Sequence, residues 1–287
     1  MANNQVQTQP KTITTILANE AVKKRFQDIL GAKSASFISS IVSATKSNPK
    51  LADCNPDTVI SSAVIAATLD LPIQSNLGFA YIVPYGKDAT FQMGYKGYVQ
   101  LAIRTGQYQT INSAVVYEGE LIKENRFTGE FTFDSSQKVS DKVIGYVAYF
   151  KLVTGFEKTL YMTAERAEAH AKKYSQTYKS GFGKWKEDFE AMALKTVLKL
   201  LLSKYGILSV EMQVALKTDQ AVIRDADTID VEYVDNTPTE IDVEDLKALY
   251  ELKKESVPAE EQIHIDRILQ NKEAKSYPKV YKALQAL

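Results

Sequence analysis

The stretch from Phe79 to Gln107, FAYIVPYGKDATFQMGYKGYVQLAIRTGQ, restricts the folds open to this 287-residue chain more than any other. Phe79 to Tyr85 is aromatic and β-branched, Gly86 to Asp88 carries turn chemistry, and Thr90 to Met93 alternates again before Gly94 ends the pattern. From Tyr95 the period becomes that of a helix, with Tyr98, Val99, Ala102 and Ile103 on an apolar face. The segment therefore predicts a β-hairpin that delivers the chain into a helix.

On that helix Lys96, Gln100, Arg104 and Gln107 fall at i, i+4, i+8 and i+11, a second stripe of two permanent cations and two amides. Cations pair with phosphates, amides donate to phosphate and sugar oxygens, and the neighbouring Tyr95 and Tyr98 could stack on bases. A helix with a solvated polar side has the same periodicity, and spacing alone does not choose between the two.

Lys184 to Ser209, KWKEDFEAMALKTVLKLLLSKYGILS, predicts a long helix to Lys204 whose buried face is Phe189, Met192, Ala193, Val197, Leu200 and Leu201. Lys195 and Lys199 stand at i and i+4 on another face, and Lys184, eleven residues before Lys195, joins their stripe because eleven residues make almost three turns. Trp185, the only tryptophan, reads either as core or as a stacking platform beside the lysines. If the two helices lie side by side, Lys96 and Arg104 face Lys184, Lys195 and Lys199 as the cationic walls of a groove.

The string YIVPYG with QMGYKGYVQLAIRTGQ, followed by the second block with its Trp, its EMA-like run and its Lys195-Thr196 pair, resembles the RecT family of phage recombinases. Val116-Tyr117-Glu118, Ile144 to Phe150 and the Met162-Thr163 helix entry look like the family's middle strands, so the likeness runs from Leu30 to Ser209. Leu200 to Leu202 stand where the family usually carries more Arg, and Gly206-Ile207 where a Pro is common, which implies a less basic groove. The resemblance implies an α+β fold, a small antiparallel sheet with flanking helices, that anneals single strands without ATP and assembles as rings or filaments on DNA. It also implies that Tyr95, Lys96, Gln100, Arg104, Gln107, Lys184, Trp185, Lys195 and Lys199 touch the strand.

Net charge is zero, but the average hides an asymmetry: residues 1–218 carry 26 Lys or Arg against 19 Asp or Glu, whereas residues 219–287 carry 9 against 16. A basic body tied to an acidic segment is the electrostatic footprint of a polyanion binder. The single cysteine, Cys54, allows no internal disulfide and suits a reducing cytoplasm as a buried thiol. No apolar run approaches the length of a membrane span, and the polar start MANNQVQTQPK has no signal-peptide core, so a cytoplasmic location is expected.

Four regions are expected. Residues 1–30 are a tail and a helix, Thr12 to Leu30, that serves as an oligomerisation arm or packs back on its own domain. Residues 31–217 are the annealing core, with helices at Phe37 to Lys46 and Asn55 to Leu69 and strands at Thr110 to Glu118, Phe127 to Phe133, Val143 to Thr154 and Phe156 to Tyr161. In that core Thr163 caps a further helix that ends near Lys173. Residues 218–240 are an acidic flexible linker, since Asp219 to Asp245 holds ten acidic residues and one Arg, with a DNA mimic that occludes the groove as the alternative. Residues 241–287 are three short helices: a partner-binding module for the acidic tail of the host single-strand-binding protein, or a packing appendage.

Enzyme chemistry has little material. Gly183-Lys184 is a fragment of a phosphate loop, but Tyr178 occupies the place of its first glycine and Trp185 the place of the Ser or Thr that would hold magnesium, so no ATP is expected and magnesium would only modulate. His170 and His264, the only histidines, lie in different segments, and His170 reads as a surface residue. Two rivals remain: a metal-dependent nuclease using carboxylates such as Glu118, Glu120 and Asp188, and a structural oligomer that touches DNA incidentally.

Overall fold

In the computed structural model, which describes residues 12–181, 183–233, 243–271 and 276–285, helices and antiparallel strands come in runs, with helices first. The chain begins with α1 (Ile13–Ala18) and α2 (Glu20–Leu30), separated at Asn19, whose side chain caps α2. A 3-10 turn leads to α3 (Ser34–Ser47), α4 (Pro49–Ala52) and α5 (Pro56–Thr68). Asn55 accepts the Asp57 amide and Pro56 fills the first helical position, the start signal legible in the sequence. Ile13, Leu17 and Phe26 are buried in the main core, and Arg25 pairs with Asp227 at 2.5 Å. The expected arm therefore packs on its own subunit, because its apolar stripe finds a partner there.

The hairpin is β1 (Ala80–Tyr85) and β2 (Asp88–Met93), and Gly94 passes the chain to α6 (Tyr95–Arg104). Next come β3 (Tyr108–Tyr117), the hairpin of β4 (Leu121–Asn125) and β5 (Glu130–Phe133), and then β6 (Val143–Leu152) and β7 (Glu157–Thr163). β3, β6 and β7 form an antiparallel three-stranded sheet, closed between β6 and β7 at Gly155. Phe131 and Phe133 of β5 lie against Tyr161 of β7, so this second hairpin folds over the sheet edge.

After α7 (Ala164–Tyr174), capped by Thr163, come α8 (Gln176–Lys179), α9 (Lys184–Glu187), α10 (Phe189–Tyr205) and α11 (Val210–Thr218). The long helix expected from Lys184 is broken: Asp188 adopts φ −147°, ψ 77° and caps α10 through the Ala191 amide. Lys184 consequently leaves the stripe of Lys195 and Lys199.

The expected linker is corrected as well. β8 (Ala221–Asp225) and β9 (Asp230–Tyr233) join the first hairpin in a four-stranded sheet of order β1-β2-β8-β9, with Phe91 opposite Ala221. Ala221, Val222 and Ile223 are fully buried, and apolar burial of about 25 cal/mol per Å² outweighs the acidic composition around them. Residues 234–240, the remainder of that linker, lie outside the described residues. α12 (Val243–Lys253), α13 (Ala259–Gln270) and α14 (Tyr277–Gln285) gather Leu246, Tyr250, Ile265, Ile268, Val280 and Leu284 into a second hydrophobic cluster of their own. The fold is mixed α and β, with small antiparallel sheets flanked by helices. No helix among the described residues is long and apolar enough to cross a membrane.

Candidate nucleic-acid interface

The glycines of QMGYKGY set where α6 lies. A Cβ on Gly94 would stand 2.1 Å from the Gly78 carbonyl oxygen, and one on Gly97 would stand 2.2 Å from that of Phe79. Only bare backbone fits, and the Gly94 amide donates to Phe79 across 2.7 Å. This contact presents Lys96 to solvent, its methylenes packed over Gly78 beside the Tyr81 hydroxyl. Lys184, 79% exposed and paired with Glu187 at 2.5 Å, feels the phenol of the same Tyr81. Lys96 and Lys184, one from each signature block, are therefore both open to solvent.

The rest of the α6 stripe is partly engaged. Arg104, about one third exposed, donates to the carbonyls of Leu69 (2.6 Å) and Asp70 (2.7 Å) at the end of α5. Gln100 is half-buried, Gln107 is exposed, and the Tyr95 hydroxyl receives a hydrogen bond from Ser113. Ile103, expected in the core, is 54% exposed, and Leu101 takes the buried position. Gln100 and Arg104 line an open cleft of about 450 Å³ whose other walls include Lys33, Phe37, Asp70 and Phe79.

Lys195 and Lys199 do not form a second cationic wall. Both turn to Asp219, which is 2% exposed and lies between α11 and β8. Its carboxylate accepts Lys199 at 2.6 Å, the Tyr98 hydroxyl at 2.8 Å and the Met93 amide at 2.8 Å, with Lys195 at 3.6 Å. Burial pushes this carboxyl up, but the Lys195 and Lys199 charges, the Lys199 hydrogen bond and the Met93 amide together hold it at about 2. Burial pulls the Lys195 ammonium below its ordinary value and, with the Asp219 charge, lifts the Tyr98 phenol well above its own, so Tyr98 remains a donor.

Trp185 is core, 5% exposed, edge-on to Phe189 at 5.2 Å and to Tyr178 at 6.5 Å. An indole enclosed on these sides offers no face to a base. His170, expected on the surface, packs its ring 6.2 Å from Trp185. Burial first, then Lys199 and Lys173, lower its pKa to about 4.

The family model of the RecT family matches residues 35–234. The chain belongs to the RecT family. It is 55% identical over 214 residues to the uncharacterized protein YqaK of Bacillus subtilis, covering 75% of this chain and 74% of that one. It is 29% identical over 186 residues to Protein RecT of Escherichia coli, covering 60% of this chain and 66% of that one. The match reaches one residue past β9, so the strands after Asp219 fall inside the RecT-family region.

Asp219 is the residue that the sequence reading of this RecT-family chain missed. It ties the two signature blocks together: Met93 and Tyr98 come from the first, Lys195 and Lys199 from the second. The signal available was Asp219 followed by Ala221-Val222-Ile223, a short apolar run inside an acidic stretch.

Proposed function

We propose that this chain is an ATP-independent single-strand DNA annealing protein for homologous recombination, which holds a strand by its backbone and presents the bases to a complementary strand. The observation that carries the reading is the pair of exposed cations Lys96 and Lys184, one from each signature block, with Lys96 followed along α6 by Gln100 and Arg104. Cations and amides in this order are backbone readers, so binding is indifferent to sequence. Holding a flexible strand in advance removes ordering entropy from pairing, and the cations reduce repulsion between two polyanions. Base pairing supplies the specificity and most of the drive, so nucleotide hydrolysis has no step to power. Magnesium would act by screening.

Many copies side by side, as a ring or filament, hold both the strand and the nascent duplex. The α12–α14 module receives an acidic peptide such as the tail of the host single-strand-binding protein, through basic residues that include Lys253, Lys254 and Arg267. A chain ending at Tyr233 should then anneal naked strands but fail on strands already coated by that protein. The nuclease rival is the weaker reading, since no three His, Cys, Asp or Glu among the described residues come together to hold a metal ion. Asp188 instead caps α10, while Glu118 accepts Ser140 and pairs with Lys142.

The deciding experiment titrates labelled oligonucleotides of different sequence at several salt concentrations. With about three to five phosphates neutralised per protomer, log affinity should fall with log salt at a slope of about −2 to −4. A flat response would remove the backbone-binding face.

A further inference from the structure

Two cations and a carboxylate meet at the mouth of the cleft beside α6. Lys33 Nζ lies 3.0 and 2.9 Å from the two Asp70 carboxylate oxygens, and Arg104 lies 3.7 Å from the same group. Asp70 stands just past the end of α5 with φ +46°, a left-handed position unusual for a residue with a side chain. Ser36, Ser40 and Gln100 line the same cleft and add neutral hydrogen-bonding groups.

The carboxylate is not what holds Arg104 in place. The guanidinium is already fixed by the Leu69 and Asp70 carbonyls, hydrogen bonds that do not need the Asp70 side chain. The ion pairs themselves are open to water, with Lys33 68% and Asp70 51% exposed, and pairs of that kind contribute little to stability. What the arrangement provides is an anionic group between two cations, one preorganised and one flexible, the pattern that recognises a phosphate.

We infer that Lys33 and Arg104 form a phosphodiester-binding subsite, filled in the free protein by the Asp70 carboxylate as an internal stand-in that an incoming DNA phosphate displaces. The inference rests on the single-strand-binding reading above and adds Lys33 to it. Exchange of one anion for another keeps the cations neutralised throughout. The grip on each phosphate is correspondingly weak, which suits a protein that must release or shift a strand once it has paired.

The test compares binding of a labelled single-stranded oligonucleotide to the full chain, Asp70→Asn, Lys33→Gln and the double variant, with thermal melts on the same samples. Asn tolerates the left-handed backbone, so Asp70→Asn should melt as the unaltered chain does. Removing one like charge a few ångströms from the phosphate should tighten binding by about fivefold at low salt. The salt slope should steepen by about 0.7, one counterion on a single strand, because the Asp70 carboxylate displaced in the unaltered chain takes up a cation that offsets one released from the DNA. Lys33→Gln should weaken binding, and the double variant should lose most of the gain. Inorganic phosphate at the oligonucleotide's phosphate concentration should not compete, whereas competition would assign the subsite to free phosphate and overturn the inference. Unchanged or weaker binding by a folded Asp70→Asn also overturns it, even while Lys96→Ala binds poorly and sustains the broader reading. If the unaltered chain does not bind single strands at all, it is the broader reading that fails.

Discussion

Lys199 reaches back from α10 to Asp219, twenty residues further along the chain, and donates to its carboxylate across 2.6 Å. A lysine whose spacing suggested a DNA contact is thus a clamp between a helix and the start of a strand. Breaking a buried pair from the acidic side leaves Lys195, 10% exposed, with no counter-charge. Asp219→Ala should cost about 3–5 kcal/mol in urea unfolding. Lys199→Ala should also destabilise, in contrast to Lys96→Ala, which should leave the melt unchanged and weaken DNA binding. Equal melts for all three would show that the buried cluster contributes nothing.

Acid should weaken the fold in two stages. His170 sits at about 4 in the fold against an ordinary 6.5, so the unfolded chain takes up the proton first, and stability is lost as pH falls from about 6.5 to 4. Allowing for partial exposure, this stage is worth about 1–2 kcal/mol. Asp219, at about 2 against 3.8, contributes stability that is present above pH 4 and lost as pH falls towards 2, by about 2 kcal/mol. Denaturant curves at half-unit pH steps check both stages: His170→Gln should flatten the upper one and Asp219→Asn the lower.

Trp185 should report on folding and stay silent on DNA. Trp185→Phe should keep strand affinity, and Trp185→Ala should lose about 3–5 kcal/mol of stability. The indole emission of the unaltered chain should not be quenched by added oligonucleotide. Strong quenching would mean that a base reaches the ring.

Gly97→Ala adds one methyl group and should still be severe, because that carbon meets the Phe79 carbonyl, which is backbone and cannot swing aside. A loss of about 2–3 kcal/mol is expected, together with weaker DNA binding as α6 lifts from the hairpin. Gly155→Ala is the contrast for crowding: nothing lies within 4 Å of its added carbon, and only the positive φ of its turn is strained.

Elements written in neighbouring residues were legible before the fold was known. The first hairpin and α6, the Asn55-Pro56 start, the Thr163 cap and the three C-terminal helices all follow from local periodicity and capping chemistry. Asp188 is a capping residue inside an otherwise helical pattern, and periodicity overrode it, which carried Lys184 onto the wrong stripe. Lys195 and Trp185 were misplaced for another reason. A helical wheel shows which residues share a face, but not that a distant carboxylate or an aromatic cluster is waiting on that face. Of the residues expected to contact DNA, Lys96, Gln107 and Lys184 lie open to solvent, Arg104 partly so, and Tyr95 and Gln100 are half-buried.

The four-stranded sheet also sets a timetable. β2 is made early, yet its neighbour β8 follows so late that the Met93 amide waits 126 residues for the Asp219 carboxylate. During synthesis the first hairpin leaves the ribosome with one edge bare, and the loop closed by its final pairing is nearly half the chain. Contacts of such long range make for slow folding and leave an aggregation-prone edge in the interval. A nascent chain released before Ala221 would carry both signature blocks and still lack the strand that seals them, so proteolysis of stalled products should show protection appearing only once β8 has emerged.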